Sequence, residues 1–261
     1  MHADGVVVAM VGLGAGLLYG LFGAGGSAFA TPILALVGVP PVLAVASPLP
    51  ATIPAALAGA WSYRRVGALD TDVARRALLA GVPAAIAGAV ATRWVGGHAL
   101  LLLSGTVLLA AGVRLAVPAI GDQPAGHPAG HPAGHPAGRR PHRAVLVPVA
   151  CAVIGFVAGL LANSGGFLLV PFFLVVVGLD MRAAAATSLL VAAALTVPTA
   201  AVHVALGHVD WRVAALTGAG LVPGSVIGSR LAHVCPQDRL RQTFGVALVA
   251  FAVWFIAQTV G

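Results

Sequence analysis

The chain has 261 residues, of which 59% are apolar and only 8% are charged. Apolar runs of about 18 residues or more recur along it, which excludes a water-soluble globule and predicts an all-α integral membrane protein. Its formal charge of +7 comes from arginines in short loops between the apolar runs, which excludes a nucleic-acid-binding face and leaves membrane lipid as the expected surrounding.

The first half is predicted to hold five apolar segments, at residues 5–22, 27–39, 42–62, 74–95 and 98–118. The first of them is followed by "AFA", Ala28 to Ala30, which mimics the cleavage site of a secretory signal. Because no positively charged region precedes the run, we expect a retained first helix. Residues 1–118 form the first predicted transmembrane repeat.

A Pro-, Gly- and His-rich linker, residues 119–143, follows and contains "QPAGHPAGHPAGHPAGRRPHR". It has no apolar period and is expected to be flexible. His127, His131 and His135 raise the alternative of a metal-collecting arm, but the quoted tract contains no carboxylate or Cys to complete a ligand set. We therefore predict neither a metal site nor a cofactor.

The second repeat, residues 144–261, is predicted to hold apolar segments at 145–162, 166–179, 183–206, 212–233 and 240–258. It copies the first. Gly16, Gly20, Gly26 and Pro32 recur 139 positions later, and, after a slip of one residue, Gly38, Asp70, Pro83 and Gly88 recur 140 positions later.

The arginines predict how the copies are oriented. If each copy crosses the membrane an odd number of times, twelve arginines lie in the cytoplasm and two outside, against nine and five for an even number. The odd number fits the rule that cytoplasmic loops are positive, so we expect inverted repeats, with both termini outside and the linker in the cytoplasm.

Two of the segments are too short to cross a bilayer. Segments 27–39 and 166–179 rise about 20 Å against a hydrocarbon core of about 30 Å, so we expect half-helices or re-entrant pieces near the midplane. The glycines before each segment allow a tight turn, and two helix amino ends meeting there would hold an anion. The candidate substrate-binding residues are these glycines and the nearby polar side chains: Gly25, Gly26, Ser27, Ser47, Asn163, Ser164, Gly165, Gly166, Thr187 and Ser188.

Three further residues are weaker candidates for a functional role. His203, near the end of a predicted span, would suit proton coupling, although an interfacial histidine explains it equally well. Cys151 and Cys235 stand alone and are expected to be small buried residues.

The doubled glycine motif resembles that of the sulfite exporter TauE/SafE family. The resemblance rests on "GLLYGLFGAGGSAFATP", Gly16 to Pro32, on its echo "GLLANSGGFLLVP" and on "AAATSLL", Ala184 to Leu190. It implies a multi-pass inner-membrane permease for sulfur-containing anions such as sulfite and organosulfonates, and it carries over to Gly20, Gly23, Gly159 and Pro171 besides the glycines named above. It implies no enzyme.

Two alternatives stay open beside the anion permease. A transition-metal permease would use the linker histidines, and an intramembrane serine protease would use Ser164 with His203.

Overall fold

The computed structural model describes residues 5–91, 141–160 and 165–260. The described chain is helical, with turns between helices and no strand, as predicted. Its ten α-helices are α1 Gly5–Phe22, α2 Gly26–Leu36, α3 Pro41–Ala46, α4 Pro48–Arg64, α5 Thr71–Ala91, α6 Pro141–Leu160, α7 Gly166–Phe172, α8 Met181–Ala205, α9 Trp211–Val234 and α10 Gln237–Val260.

Within the described residues, four stretches are long and apolar enough to span a membrane: Gly5–Phe22, Val42–Arg64, Thr71–Ala91 and Met181–Ala205. Two predicted short segments are short in the structure as well. The helix α2 has 11 residues, and α7 has 7 residues followed by a π-helical turn of 5 residues, Phe173–Val177. At 1.5 Å per residue, neither piece exceeds roughly 18 Å.

The predicted segment 42–62 is divided at Ser47, between α3 and α4. Pro48 and Pro50 have no backbone N–H, so the carbonyl groups four residues before them lose their helical partners. The predicted segment 98–118 and the linker histidines lie outside the described residues.

Two helix pairs pack with their backbones almost in contact, α1 along α9 and α5 along α6. A side chain on the glycines of α1 would collide with backbone of α9: Gly12 faces Thr217, Gly16 faces Leu221 and Gly20 faces Ser225. In the other pair, Gly155 and Gly159 of α6 face the carbonyl groups of Gly81 and Ala85. Small residues permit this approach in membranes, and each pair takes one helix from each half of the chain.

The helices α4 and α8 pack together in the middle of the bundle and run in opposite directions. Gly59, late in α4, faces Leu189, early in α8, whereas Leu49 at the start of α4 packs with Ala200 near the end of α8. These two helices occupy equivalent places in the two halves, because residues 48–64 correspond to residues 188–204 in the 140-residue repeat.

The antiparallel course of α4 and α8 defines two ends of the bundle. The Asp70 end holds the end of α4, the start of α5 and the start of α8, and the Asp210 end holds the start of α4, the end of α8 and the start of α9. Arg182 at the start of α8 donates to the carbonyl oxygens of Ala232, His233 and Cys235, which places the end of α9 at the Asp70 end too.

The arginines of these helices segregate to one end. The Asp70 end has Arg64, Arg65, Arg75, Arg76, Arg182, Arg230, Arg239 and Arg241. At the Asp210 end, the described part of the chain has Arg212.

Candidate functional site

The two short helices α2 and α7 each begin at a glycine with a left-handed backbone. Gly25 caps α2 with φ 51°, and Gly165 caps α7 with φ 70°. Glycine suits both positions because a residue with a Cβ is strained at such φ values. Neither cap residue supplies a side-chain hydrogen bond to its helix.

The structural pairing of these caps differs from the sequence pairing by one residue. The sequence repeat matched Gly26 with Gly165, whereas the left-handed caps are Gly25 and Gly165, 140 positions apart. The same offset relates two further pairs of left-handed glycines: Gly38 with Gly178, and Gly67 with Gly207. The backbone conformation therefore follows the 140-residue offset already at Gly25, whereas the sequence still matches Pro32 with Pro171 at 139.

The two helix breaks touch each other. A Cβ on Gly166 would lie 2.6 Å from the backbone nitrogen of Gly25 and 2.7 Å from the carbonyl oxygen of Gly23. Gly165 lies against Leu195, which is near the middle of α8. We call this contact between the segments Gly23–Gly26 and Gly165–Gly166 the glycine crossing.

Ser188 of α8 joins the two sides of the glycine crossing. Its buried Oγ lies 2.9 Å from the carbonyl oxygen of Gly23 and 3.3 Å from that of Gly166. One hydroxyl proton is therefore shared between a carbonyl of each half. The equivalent residue of the first half is Pro48, which has no hydroxyl.

Ser47 and Thr187 do not lie together at the crossing. The Oγ of Ser47 accepts from the backbone N–H of Asp210 at 3.0 Å, and the Oγ1 of Thr187 accepts from the backbone N–H of Asp70 at 3.2 Å. The sequence grouped both residues with the substrate-binding set, but each hydroxyl contacts the other half of the chain at a different end of the bundle.

The remaining predicted site residues are only partly described. Gly26 packs against the ring of Tyr19, and Ser27, in the first turn of α2, is buried. Asn163 and Ser164 lie outside the described residues.

Sequence reasoning missed two contacts that shape the crossing. Gly23 is left-handed, with φ 72°, and a Cβ there would lie 2.6 Å from the Cα of Ala185. The hydroxyl of Tyr63 lies 3.0 Å from the carbonyl oxygen of Gly20 and 3.2 Å from that of Leu21, at the end of α1. The sequence named Gly23 as part of the doubled motif but gave no sign of its contact with Ala185, and nothing in the sequence pairs Tyr63 with the end of α1.

His203 is buried in the last turn of α8, and its Nδ1 lies 3.4 Å from the Nδ1 of His208. This pair is at the Asp210 end and not at the glycine crossing. Cys151 is buried as predicted, whereas Cys235 is only partly buried.

The described segments of the glycine crossing, Gly23–Gly26 and Gly165–Gly166, contain no charged residue. Every described Asp lies at the start of a helix: Asp70, Asp72, Asp180, Asp210 and Asp238. The groups at the crossing that could bind a ligand are the backbone N–H groups at the amino ends of α2 and α7. Such ends carry a partial positive charge and favour anions.

Comparison with known proteins gives two matches. The sequence model of the family described as Sulfite exporter TauE/SafE matches residues 8–255. A protein of Xylella fastidiosa (strain 9a5c), described as "Probable membrane transporter protein", is 27% identical over 254 residues, which covers 92% of this chain and 90% of that protein. No solved structure matches the chain.

Proposed function

The chain belongs to the sulfite exporter TauE/SafE family, and we propose that it is an inner-membrane permease that moves small sulfur-containing anions, such as sulfite or an organosulfonate. The chain is a multi-pass membrane transporter with a small-molecule substrate, and it is not an enzyme. Membership of this transporter family excludes the alternative of an intramembrane serine protease that uses Ser164 and His203.

The glycine crossing is the observation that carries the proposal. Two short helices, one from each half, begin where the two breaks touch, beside the segment of α8 from Ala185 to Leu195. Interrupted helices that meet near the middle of a membrane protein are how many secondary transporters build a substrate site.

The chemistry of the crossing favours an anion over a cation. Two helix amino ends supply N–H donors and partial positive charge without a buried Arg or Lys. A cation path would use carboxylates inside the spans. The described Asp residues instead lie at helix starts, and the chain has no Glu.

The crossing is closed in this structure, because the backbones of Gly166 and Gly25 leave no room for even a methyl group. An anion can reach the helix amino ends only if the two breaks separate. The proposed substrate site therefore forms when one half of the chain moves relative to the other.

We further propose that the two repeats are inverted and that the Asp70 end faces the cytoplasm. The antiparallel course of α4 and α8, which are equivalent in the repeat, supports the inversion. The collection of eight arginines at the Asp70 end supports the orientation, because cytoplasmic loops are enriched in positive charge.

Counterflow in proteoliposomes tests the substrate class. The purified full chain is reconstituted, the vesicles are loaded with one unlabelled solute, and entry of the labelled solute is followed. We expect saturable exchange of sulfite or an organosulfonate, above that of protein-free vesicles and weak for sulfate.

The same vesicles loaded with zinc or nickel test the metal permease. Exchange of the metal ions alone, with none of the sulfur anions moving, would refute the anion proposal and favour a role for His127, His131 and His135.

A further inference from the structure

Two hydrogen bonds repeat the same contact at opposite ends of the molecule. In one, the N–H of Asp210 donates to Ser47, and in the other, the N–H of Asp70 donates to Thr187. Both the donors and the acceptors are related by the 140-residue offset. Each bond joins one half of the chain to the other.

The two bonds lie far apart along the central helices. Since Gly59 faces Leu189 and the helices are antiparallel, Thr187 is level with about residue 61 of α4. That level is roughly 14 residues from Ser47, so the two bonds are separated by roughly 21 Å along the bundle. The glycine crossing contacts α8 at Ala185, Ser188 and Leu195, so it lies beside the Thr187 bond and extends from there toward the middle of α8.

The donors are well placed to link helix movement to these bonds. The carboxylate of Asp70 accepts from Val73, and that of Asp210 accepts from Arg212 and Val213, so each Asp is fixed to the first turn of its own helix. The backbone N–H of each Asp then points to the other half. Separating α5 from α8 breaks one bond, and separating α9 from the start of α4 breaks the other.

We propose that Ser47 and Thr187 are gating residues: Ser47 with Asp210 holds the Asp210 end closed, and Thr187 with Asp70 holds the Asp70 end closed. This inference rests on the proposed transport function, in which the crossing opens to one side at a time. A neutral hydrogen bond contributes only about 0.5 to 1.5 kcal/mol, which is strong enough to bias a gate and weak enough to break in each cycle. Neither residue needs to touch the substrate.

Thiol labelling from each side tests the proposal. Thr52 and Ala192 are buried, equivalent in the repeat, and lie between the two gates and the middle of the central helices. A single reporter, Thr52→Cys or Ala192→Cys, is placed in a chain carrying Cys151→Ala and Cys235→Ala. A membrane-impermeant maleimide is then added to right-side-out or inside-out vesicles.

Removing one gate should expose one reporter. We expect Ser47→Ala to raise the labelling rate at Thr52→Cys roughly two- to twelve-fold, from the Asp210 end only, and Thr187→Val to do the same at Ala192→Cys from the Asp70 end. The matched controls are Ser47→Thr and Thr187→Ser, which keep the hydroxyl and exchange the residues of the two halves. Both should label as the parent does.

Two results would overturn the gates. One is a folded Ser47→Ala or Thr187→Val protein that labels like the parent, and the other is equal exposure of both reporters in each variant. Labelling needs no substrate, so it separates this inference from the substrate proposal: normal side-specific exposure without sulfur-anion exchange would refute only the latter.

Hydrogen exchange of the wild-type chain covers the case in which a variant does not fold. We expect sulfite, added as the probe, to shift the exchange of peptides containing Asp70 and Asp210 in opposite directions. Equal shifts in both peptides, or none under conditions where sulfite exchanges across the membrane, would also overturn the proposal.

Discussion

Replacing Gly166 by Ala tests the glycine crossing most directly. The added methyl would lie 2.6 Å from the nitrogen of Gly25 and 2.7 Å from the carbonyl oxygen of Gly23. Both are backbone atoms, so the two breaks would have to separate by roughly 0.8 Å to restore an ordinary contact of about 3.4 Å. Overpacking of this kind costs about 1 to 3 kcal/mol, which shifts the closed state by roughly 5- to 150-fold.

The expected result is a fall of at least about fivefold in sulfur-anion counterflow, because the transport cycle must pass through the closed crossing. Rates are compared per reconstituted protein, after size exclusion has shown that the variant is folded. Gly14→Ala is the matched control, since Gly14 is also helical and a Cβ there meets nothing within 4 Å. A folded Gly166→Ala protein that exchanges the anion at the parental rate would show that the crossing does not take part in transport.

Three further predictions address topology, the linker and the end of α1. Reporter fusions should place the carboxyl terminus outside the cell and the linker inside, and a cytoplasmic carboxyl terminus would contradict the inverted repeats. Deletion of residues 123–138 should leave counterflow within about twofold of the parent, because a Pro- and Gly-rich tract without a complete ligand set is expected only to connect the two halves. Loss of a metal flux on deletion would instead favour the metal permease. Tyr63→Phe should lower the melting temperature, because the carbonyl oxygens of Gly20 and Leu21 lose their hydroxyl donor at a cost of about 1 to 3 kcal/mol. An unchanged melting temperature would show that water replaces the hydroxyl.

The helices could be predicted because apolar runs mark the helical segments and glycines mark the places where the backbone turns. The segments 5–22 and 212–233 coincide with α1 and α9 to within a residue or so. The break at Ser47 was missed because the apolar pattern continues across it, although Pro48 and Pro50 carried the signal.

The site was predictable in part, for a different physical reason. The doubled glycine motif indicated where the helices break, and Gly25, Gly165 and Gly166 are found at the breaks. Ser47 and Thr187 were grouped with them because a sequence gives no distances between helices. Their partners, Asp210 and Asp70, recur in the repeat, but a contact across 163 or 117 residues depends on how the halves pack.

The proposed inverted repeats give Ser188 a testable role. If the two halves are equivalent, the two end states of the transporter are similar, and residues that differ between the halves make one state more stable than the other. Ser188 corresponds to Pro48, and its hydroxyl has acceptors on both halves, at Gly23 and Gly166. When the two breaks separate, the Ser188 hydroxyl can stay hydrogen-bonded to only one of the two carbonyl oxygens. One open state therefore keeps a hydrogen bond that the other open state lacks. We therefore expect Ser188→Ala to change the ratio of labelling at Thr52→Cys to that at Ala192→Cys by roughly two- to twelve-fold. An unchanged ratio in a folded protein would mean that this difference between the halves has no part in setting which side opens.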